Sequence, residues 1–215
     1  MLWPMKRPEQ HSSGLDAARW AWGDDATILD RIWAASGVVA IPTESSYGLA
    51  VDPADRRAVE AVLRIKNRPA GLALPVVAGS VEDLERLGAR LDMSWLRPVR
   101  AAWPAPLTAV VPLERPLPAT LGLDTLAVRI PAHPRLRELL AGLGRVVTAT
   151  SANRSGEPPV LRVDAVRRLL RGERAMVVDD GELPGGAPST IVGNREGRLT
   201  VLREGAFPAA ALSGG

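Results

Sequence analysis

Cysteine is absent from this sequence. That absence excludes disulfides, thiolate zinc sites and a cysteine nucleophile together, and it fits a reducing compartment such as the cytoplasm. The histidines, His11 and His133, are too few for a histidine-rich metal site, so no resident metal is expected. No stretch approaches the ~20 apolar residues of a membrane helix. Met1 to Arg19 carries no continuous apolar run of the kind found in a secretory leader. A Gly-x-x-x-x-Gly-Lys phosphate loop, a Gly-x-Gly-x-x-Gly dinucleotide fingerprint and a Gly-x-Ser-x-Gly nucleophile elbow are all missing. Lysine is scarce: of 27 basic residues only Lys6 and Lys66 are lysines. A chain that prefers arginine this strongly but keeps one mid-chain lysine has a reason to want a compact ammonium there, unless codon bias alone set the ratio. Tyr47 is the only tyrosine.

What remains is ordinary for a globular protein. The chain has 215 residues, 46% hydrophobic and 24% charged, which suits one α/β domain with a core of its own. A formal charge of +3 permits an anionic partner without demanding one.

Residues 1–22 lack periodicity and read as a tail or strap, followed by one domain over 23–208 and a frayed end over 209–215. Helices are expected after Asp24 or Asp25, with Ile28, Leu29, Ile32 and Trp33 on one face, then over Arg56 to Lys66, Val81 to Leu87, around Trp95, over Pro134 to Leu143, and over Val163 to Leu170. Strands are expected at Val38 to Ile41, Leu74 to Ala78, Leu107 to Val111, Leu126 to Ile130, Val146 to Thr150, Met176 to Val178, Thr190 to Val192 and Leu199 to Arg203. Strands and helices alternate first and strands cluster later, which predicts an α/β fold with a mixed parallel and antiparallel sheet.

Four segments offer chemistry, each with a plainer alternative. Pro42 to Leu49 places hydroxyls, a carboxylate and a phenol where a buried strand ends, a common place for ligand loops, or is simply a polar turn. Lys66-Asn67-Arg68-Pro69 sets two cations at a helix end, able to grip a polyphosphate or merely to complement the helix dipole. Thr148 to Gly156 is rich in small hydroxyls that can face an anion, or is turn chemistry alone. In Asp124 to Pro131, alternation puts Thr125, Ala127 and Arg129 on one face, where an arginine can capture carboxylate or phosphate, or reach solvent. Glu44 and Asp52 suggest a carboxylate pair, but nothing else supports glycosidase chemistry. His133, just before Pro134, reads as a structural residue.

In order, these segments resemble the YrdC-like family of threonylcarbamoyl-AMP synthases. The resemblance runs through Pro42 to Leu49, Lys66 to Pro69, Trp103 to Thr108, Val128 to Pro131, Ser151 to Gly156 and Ser189 to Val192, with Arg203-Glu204-Gly205 behind them, and covers roughly Ala34 to Phe207. Ser45, Ala105, Pro188 and Val77 depart from the family's usual threonine, glycine, glutamate and histidine. The chain resembles the short, single-domain form.

The resemblance implies a twisted mixed sheet flanked by helices with a concave basic face. It implies condensation of L-threonine, bicarbonate and ATP, with Mg²⁺, to threonylcarbamoyl-AMP and pyrophosphate. The product would pass to a tRNA-modification protein complex, with weak tRNA binding an additional expectation. By motif position, Lys66 and Arg68 are the catalytic candidates, and substitution of Lys66 would cost rate rather than fold. Ser45, Arg129 and Ser189 fall to threonine; Thr43, Tyr47, Thr125, Ser151, Asn153 and Arg203 fall to the nucleotide. The alternatives are an RNA-binding or regulatory relative without synthase activity, and carbamoyl transfer from carbamoyl phosphate. Ser45, Lys66 and Ser151 spaced around one cleft would favour the enzyme, and a flat basic stripe would favour RNA.

Overall fold

The computed structural model describes residues 16–67 and 71–212. Among them, two mixed sheets form. The first runs in the order β1 (Ala18–Ala21), β9 (Ala175–Asp179), β2 (Val38–Pro42), β3 (Tyr47–Ala50) and β8 (Thr150–Ser151). The second runs β11 (Arg198–Arg203), β10 (Thr190–Arg195), β5 (Leu107–Pro112), β6 (Thr125–Arg129), β4 (Val76–Ala78) and β7 (Val146–Thr148). In each sheet parallel pairs such as β2 with β9 and β5 with β10 sit beside antiparallel ones such as β2 with β3 and β5 with β6.

Strand β2 shows why its sequence is an unbroken apolar run. Every residue of it is buried, and alternate side chains enter different clusters. Val38 and Ala40 meet residues of α2 (Arg56–Lys66) and α6 (Val163–Leu169), while Val39 and Ile41 meet Leu29 and Trp33 of α1 (Thr27–Ala34) and Leu136 and Leu140 of α5 (Pro134–Leu143). The second sheet packs its own cluster against α3 (Val81–Arg86) and α4 (Arg97–Ala102), through Leu84 and Val99. Helix α2 matches its expected span because both ends are specified. The Asp55 carboxylate accepts from the amides of Arg57 and Ala58, and Asn67 takes the left-handed conformation at φ 47°.

Four expectations change. The run Val146 to Thr150 is not one strand: β7 belongs to the second sheet and β8 to the first. The crossing is held by the buried Thr148 hydroxyl, which donates to Leu49 O and accepts from the Val51 amide, both at 3.1 Å. Tyr47 to Ala50, read as part of a polar loop, is a strand paired on both sides. Ala18 to Ala21 lies in the expected tail yet forms a parallel edge strand, of which only Trp20 is buried. At the other end, Ala209–Leu212 forms a short 3-10 turn whose Leu212 is buried in the second sheet's cluster rather than frayed. The remainder of both expected ends, 1–15 and 213–215, lies outside the described residues.

Candidate active site

A cleft of about 350 Å³ opens where the two sheets meet. The turn between β2 and β3 supplies one wall with Thr43, Ser45 and Ser46; β6 supplies Ala127 and Arg129; the crossing strand supplies Ala149 and Ser151. The far wall comes from Thr108 on β5, Pro188 and Ser189 ahead of β10, and Arg203 on β11. Of the residues singled out in the sequence, Thr43, Ser45, Tyr47, Arg129, Ser151, Ser189 and Arg203 therefore share one space.

Their roles inside it differ. Thr43 closes its own turn: its amide and its hydroxyl both donate to Ser46 O, at 3.1 and 2.8 Å. Ser45 O accepts from the Gly185 amide at 2.9 Å, which ties this turn to the loop leading to Ser189. The Ser189 hydroxyl lies 2.8 Å from that of Thr108, a partner the sequence reading did not single out. Arg203 donates to Ser189 O at 2.7 Å. Burial of its guanidinium, and then the charge of Arg129, lower the Arg203 pKa from the ordinary arginine value. An arginine stays charged at neutral pH even so, and two guanidiniums close enough to repel make a receptor for carboxylate or phosphate.

Arg129 has a fixed orientation. It donates to Glu44 at 2.9 Å, and the other Glu44 oxygen accepts from the Ala132 amide at 2.5 Å. Glu44 thus spans from the first sheet to the second, a task quite unlike membership of a carboxylate pair. Asp52 lies instead 3.6 Å from Arg145. With Glu44 already engaged, the cleft's donors are hydroxyls and guanidiniums, which give Mg²⁺ no carboxylate cage. Among the described residues, no group of three or more histidines, cysteines, aspartates or glutamates could hold a metal ion.

Lys66 departs furthest from expectation. It is 3% exposed, and its ammonium turns into the loop after β8. There it donates to Asn153 O at 3.2 Å, to Asn153 Oδ1 at 2.8 Å and to Ser151 O. The Ser151 hydroxyl completes the cluster by donating to Asn153 Oδ1 at 2.7 Å. Lys66 and Asn153 therefore stand behind Ser151, which alone of the three lines the cleft. Arg68, its expected companion, lies outside the described residues. Thr125 begins β6 and is not among the residues lining the cleft, which the strand enters at Ala127 and Arg129 on the same face. Of the family departures, Val77 and Pro188 line the cleft, while Ala105 is buried in the second sheet's cluster.

The Tyr47 phenol is also committed. The ring is fully buried, its hydroxyl donates to Gly181 O at 3.0 Å, and it accepts from the Asp180 amide at 3.1 Å. Burial raises its pKa above the ordinary tyrosine value near 10. The unfolded chain then ionises first, so this residue's contribution is intact below pH ~10 and is lost as pH climbs above it. Because there is one tyrosine, phenolate absorbance reads this group alone. The expected titration of the folded protein starts later than that of the urea-unfolded chain; coincident curves would show the phenol to be solvated.

The Sua5/YciO/YrdC family, described as telomere recombination, matches residues 31–205. A protein of Thiobacillus denitrificans named threonylcarbamoyl-AMP synthase is 36% identical over 165 residues, covering 76% of this chain and 87% of its own. A Pyrococcus abyssi protein of the same name is 35% identical over 173 residues, 80% of this chain but 51% of that longer protein. The crystal structure of P. abyssi Sua5 complexed with L-threonine superposes with a TM-score of 0.80 at 30% identity, over 92% of this chain and 61% of the other. Shared sequence over most of the length, and a shared fold, place this chain in the Sua5/YciO/YrdC family.

Proposed function

We propose that the protein is a threonylcarbamoyl-AMP synthase acting on L-threonine, bicarbonate and MgATP. The observation that carries this reading is the single cleft in which Ser45, Arg129, Ser151, Ser189 and Arg203, drawn from separate motifs, converge. A flat basic surface, as an RNA-binding relative would use, needs no such convergence.

The chemistry is addition of the threonine amine to bicarbonate with loss of water, giving a carbamate. One carbamate oxygen then attacks the α-phosphorus of ATP, and the bond to the pyrophosphate oxygen breaks. The protein's task is to bring anions together. Two like charges 4 Å apart repel by about 4 kcal/mol at the effective dielectric of a protein surface. Arg129 and Arg203 offset that repulsion, and Mg²⁺, arriving with ATP, neutralises the departing pyrophosphate. In this assignment Ser45, Ser189 and Arg129 hold threonine. Ser151 and Arg203 face the nucleotide. Lys66 and Asn153 set the position of Ser151, Thr43 and Tyr47 shape the wall, and Arg68 is assigned to the phosphates by its place in the motif alone. Thr125 has no part. The adenylate would then pass to a tRNA-modification complex in the cytoplasm. Among the described residues, no helix is long and apolar enough to cross a membrane.

The test is pyrophosphate release from MgATP, with detection of the AMP-linked product. Release is expected only when both threonine and bicarbonate are present. A folded protein that releases none in the complete mixture would overturn the synthase reading and favour an RNA-binding role.

A further inference from the structure

Trp22 lies upstream of the family match, which begins at residue 31, yet it is joined to the cleft by a short chain of contacts. Its indole N–H donates to Asp180 Oδ1 at 2.6 Å. The other oxygen of Asp180 lies 3.0 Å from His133 Nε2. His133 Nδ1 accepts from the Leu136 amide at 3.2 Å, so the ring proton sits on Nε2 and is donated to Asp180. The Trp22 and His133 rings stack with centroids 6.0 Å apart, and Arg135 lies over the indole, its carbon 5.5 Å from the ring centroid. One carboxylate thus gathers an edge-strand neighbour, the start of α5 and a cation.

Asp180 stands at the root of the loop that ends in Pro188 and Ser189. Its amide donates to the Tyr47 hydroxyl, and farther along the Gly185 amide donates to Ser45 O. Gly181, Gly185 and Gly186 have φ of 69°, 75° and 111°, so this loop follows a path that side chains would resist; its middle is held by buried Leu183 and by the Glu182–Arg162 pair, and its root by Asp180.

We infer that Trp22 is a positioning residue for the threonine half of the cleft: through Asp180 it fixes the loop that carries Ser189 and braces Ser45. This rests on the proposed synthase reading. Ser151, by contrast, is held directly by Lys66 and reaches the loop through Tyr47, whose carbonyl accepts from the Ala152 amide, so the threonine side should respond more strongly.

The experiment uses Trp22→Phe in the full chain, which keeps an aromatic ring on His133 but removes the N–H donor, with Asp180→Ala as the stronger variant. The expected result for Trp22→Phe is a KM for threonine raised about tenfold, with KM for MgATP within about twofold and the melting temperature little changed. Amide exchange of 181–187 should quicken in both variants while the core strands keep their protection. A purely structural Trp22 would lower the melting temperature and kcat and leave the threonine KM alone, which overturns the inference. So does unchanged loop exchange, or faster exchange with unchanged KM. If the wild-type protein shows no threonine-dependent release, the synthase reading falls, and the loop exchange alone then decides whether Trp22 clasps Asp180.

Discussion

Lys66→Met is expected to lower both stability and turnover. Methionine keeps the bulk and the helix propensity of lysine, so what is lost is the ammonium. Its departure strips a donor from Ser151 O, Asn153 O and Asn153 Oδ1 in a region where Lys66 is only 3% exposed. A buried acceptor left unpaired costs about 1–3 kcal/mol, and relief from burying an ammonium offsets part of the total. A net loss of roughly 2–3 kcal/mol would lower the melting temperature by about 5–10 °C in a domain of this size. Turnover should fall further, by about 10²–10³-fold, because Ser151, proposed to face the nucleotide, loses its backing. Lys66→Arg should also be impaired, since a planar fork does not fit where a compact ammonium meets three oxygens. Thermal melts and pyrophosphate release check both. Unchanged melting would mean the ammonium does not hold the loop; near-normal turnover would remove Lys66 from the mechanism. Read from the motif alone, this substitution costs rate and spares the fold. Burial joins the two effects.

That difference marks the boundary of what the sequence makes legible. Local patterns carry well: α2 runs from an aspartate cap to an asparagine in the left-handed conformation, and its span is readable to the residue. Strand β6 alternates as its sequence does, with Leu126 and Val128 buried while Ala127 and Arg129 face the cleft. Features that depend on a partner distant in the chain do not carry. Ala18 to Ala21 has one inward side chain and becomes a strand only because β9 offers a free edge. Tyr47 to Ala50 has no alternation because both of its faces are covered. Glu44 reads as half of a carboxylate pair with Asp52 until Arg129, 85 residues away, is placed against it. The site residues were visible as motif members, but their direction was not. A motif cannot say that Ser151 faces the cleft while Asn153 and Lys66 stand behind it. Thr108 closes the Trp103 to Thr108 motif, but the motif assigns it no role, and its proximity to Ser189 exists only in three dimensions.

Among amino acids, threonine is expected to be used best, serine next and valine worst. Serine lacks one methyl group, and a pocket gains only ~1–3 kcal/mol from a methyl, so kcat/KM should drop roughly 10–200-fold. Valine replaces the hydroxyl with a methyl of similar size, and there the hydroxyl groups of the wall decide. The Ser189 and Thr108 oxygens lie 2.8 Å apart. Each hydroxyl has one proton, so when one donates to the other, the second proton or a lone pair remains for the substrate. Threonine completes that chain. In the proposed assignment valine would present a methyl group to it, and to Ser45, which lines the same cleft. The penalty for leaving such groups unpaired reaches rejection on the order of 10⁴-fold. Product formation with each amino acid below saturation gives the ranking. Ser189→Ala sharpens the test: it should narrow the gap between threonine and valine by weakening threonine, since the alanine wall no longer rewards a hydroxyl. If valine outperforms serine in the wild-type protein, the pocket reads shape alone, and Ser45 and Ser189 do not touch the threonine side chain.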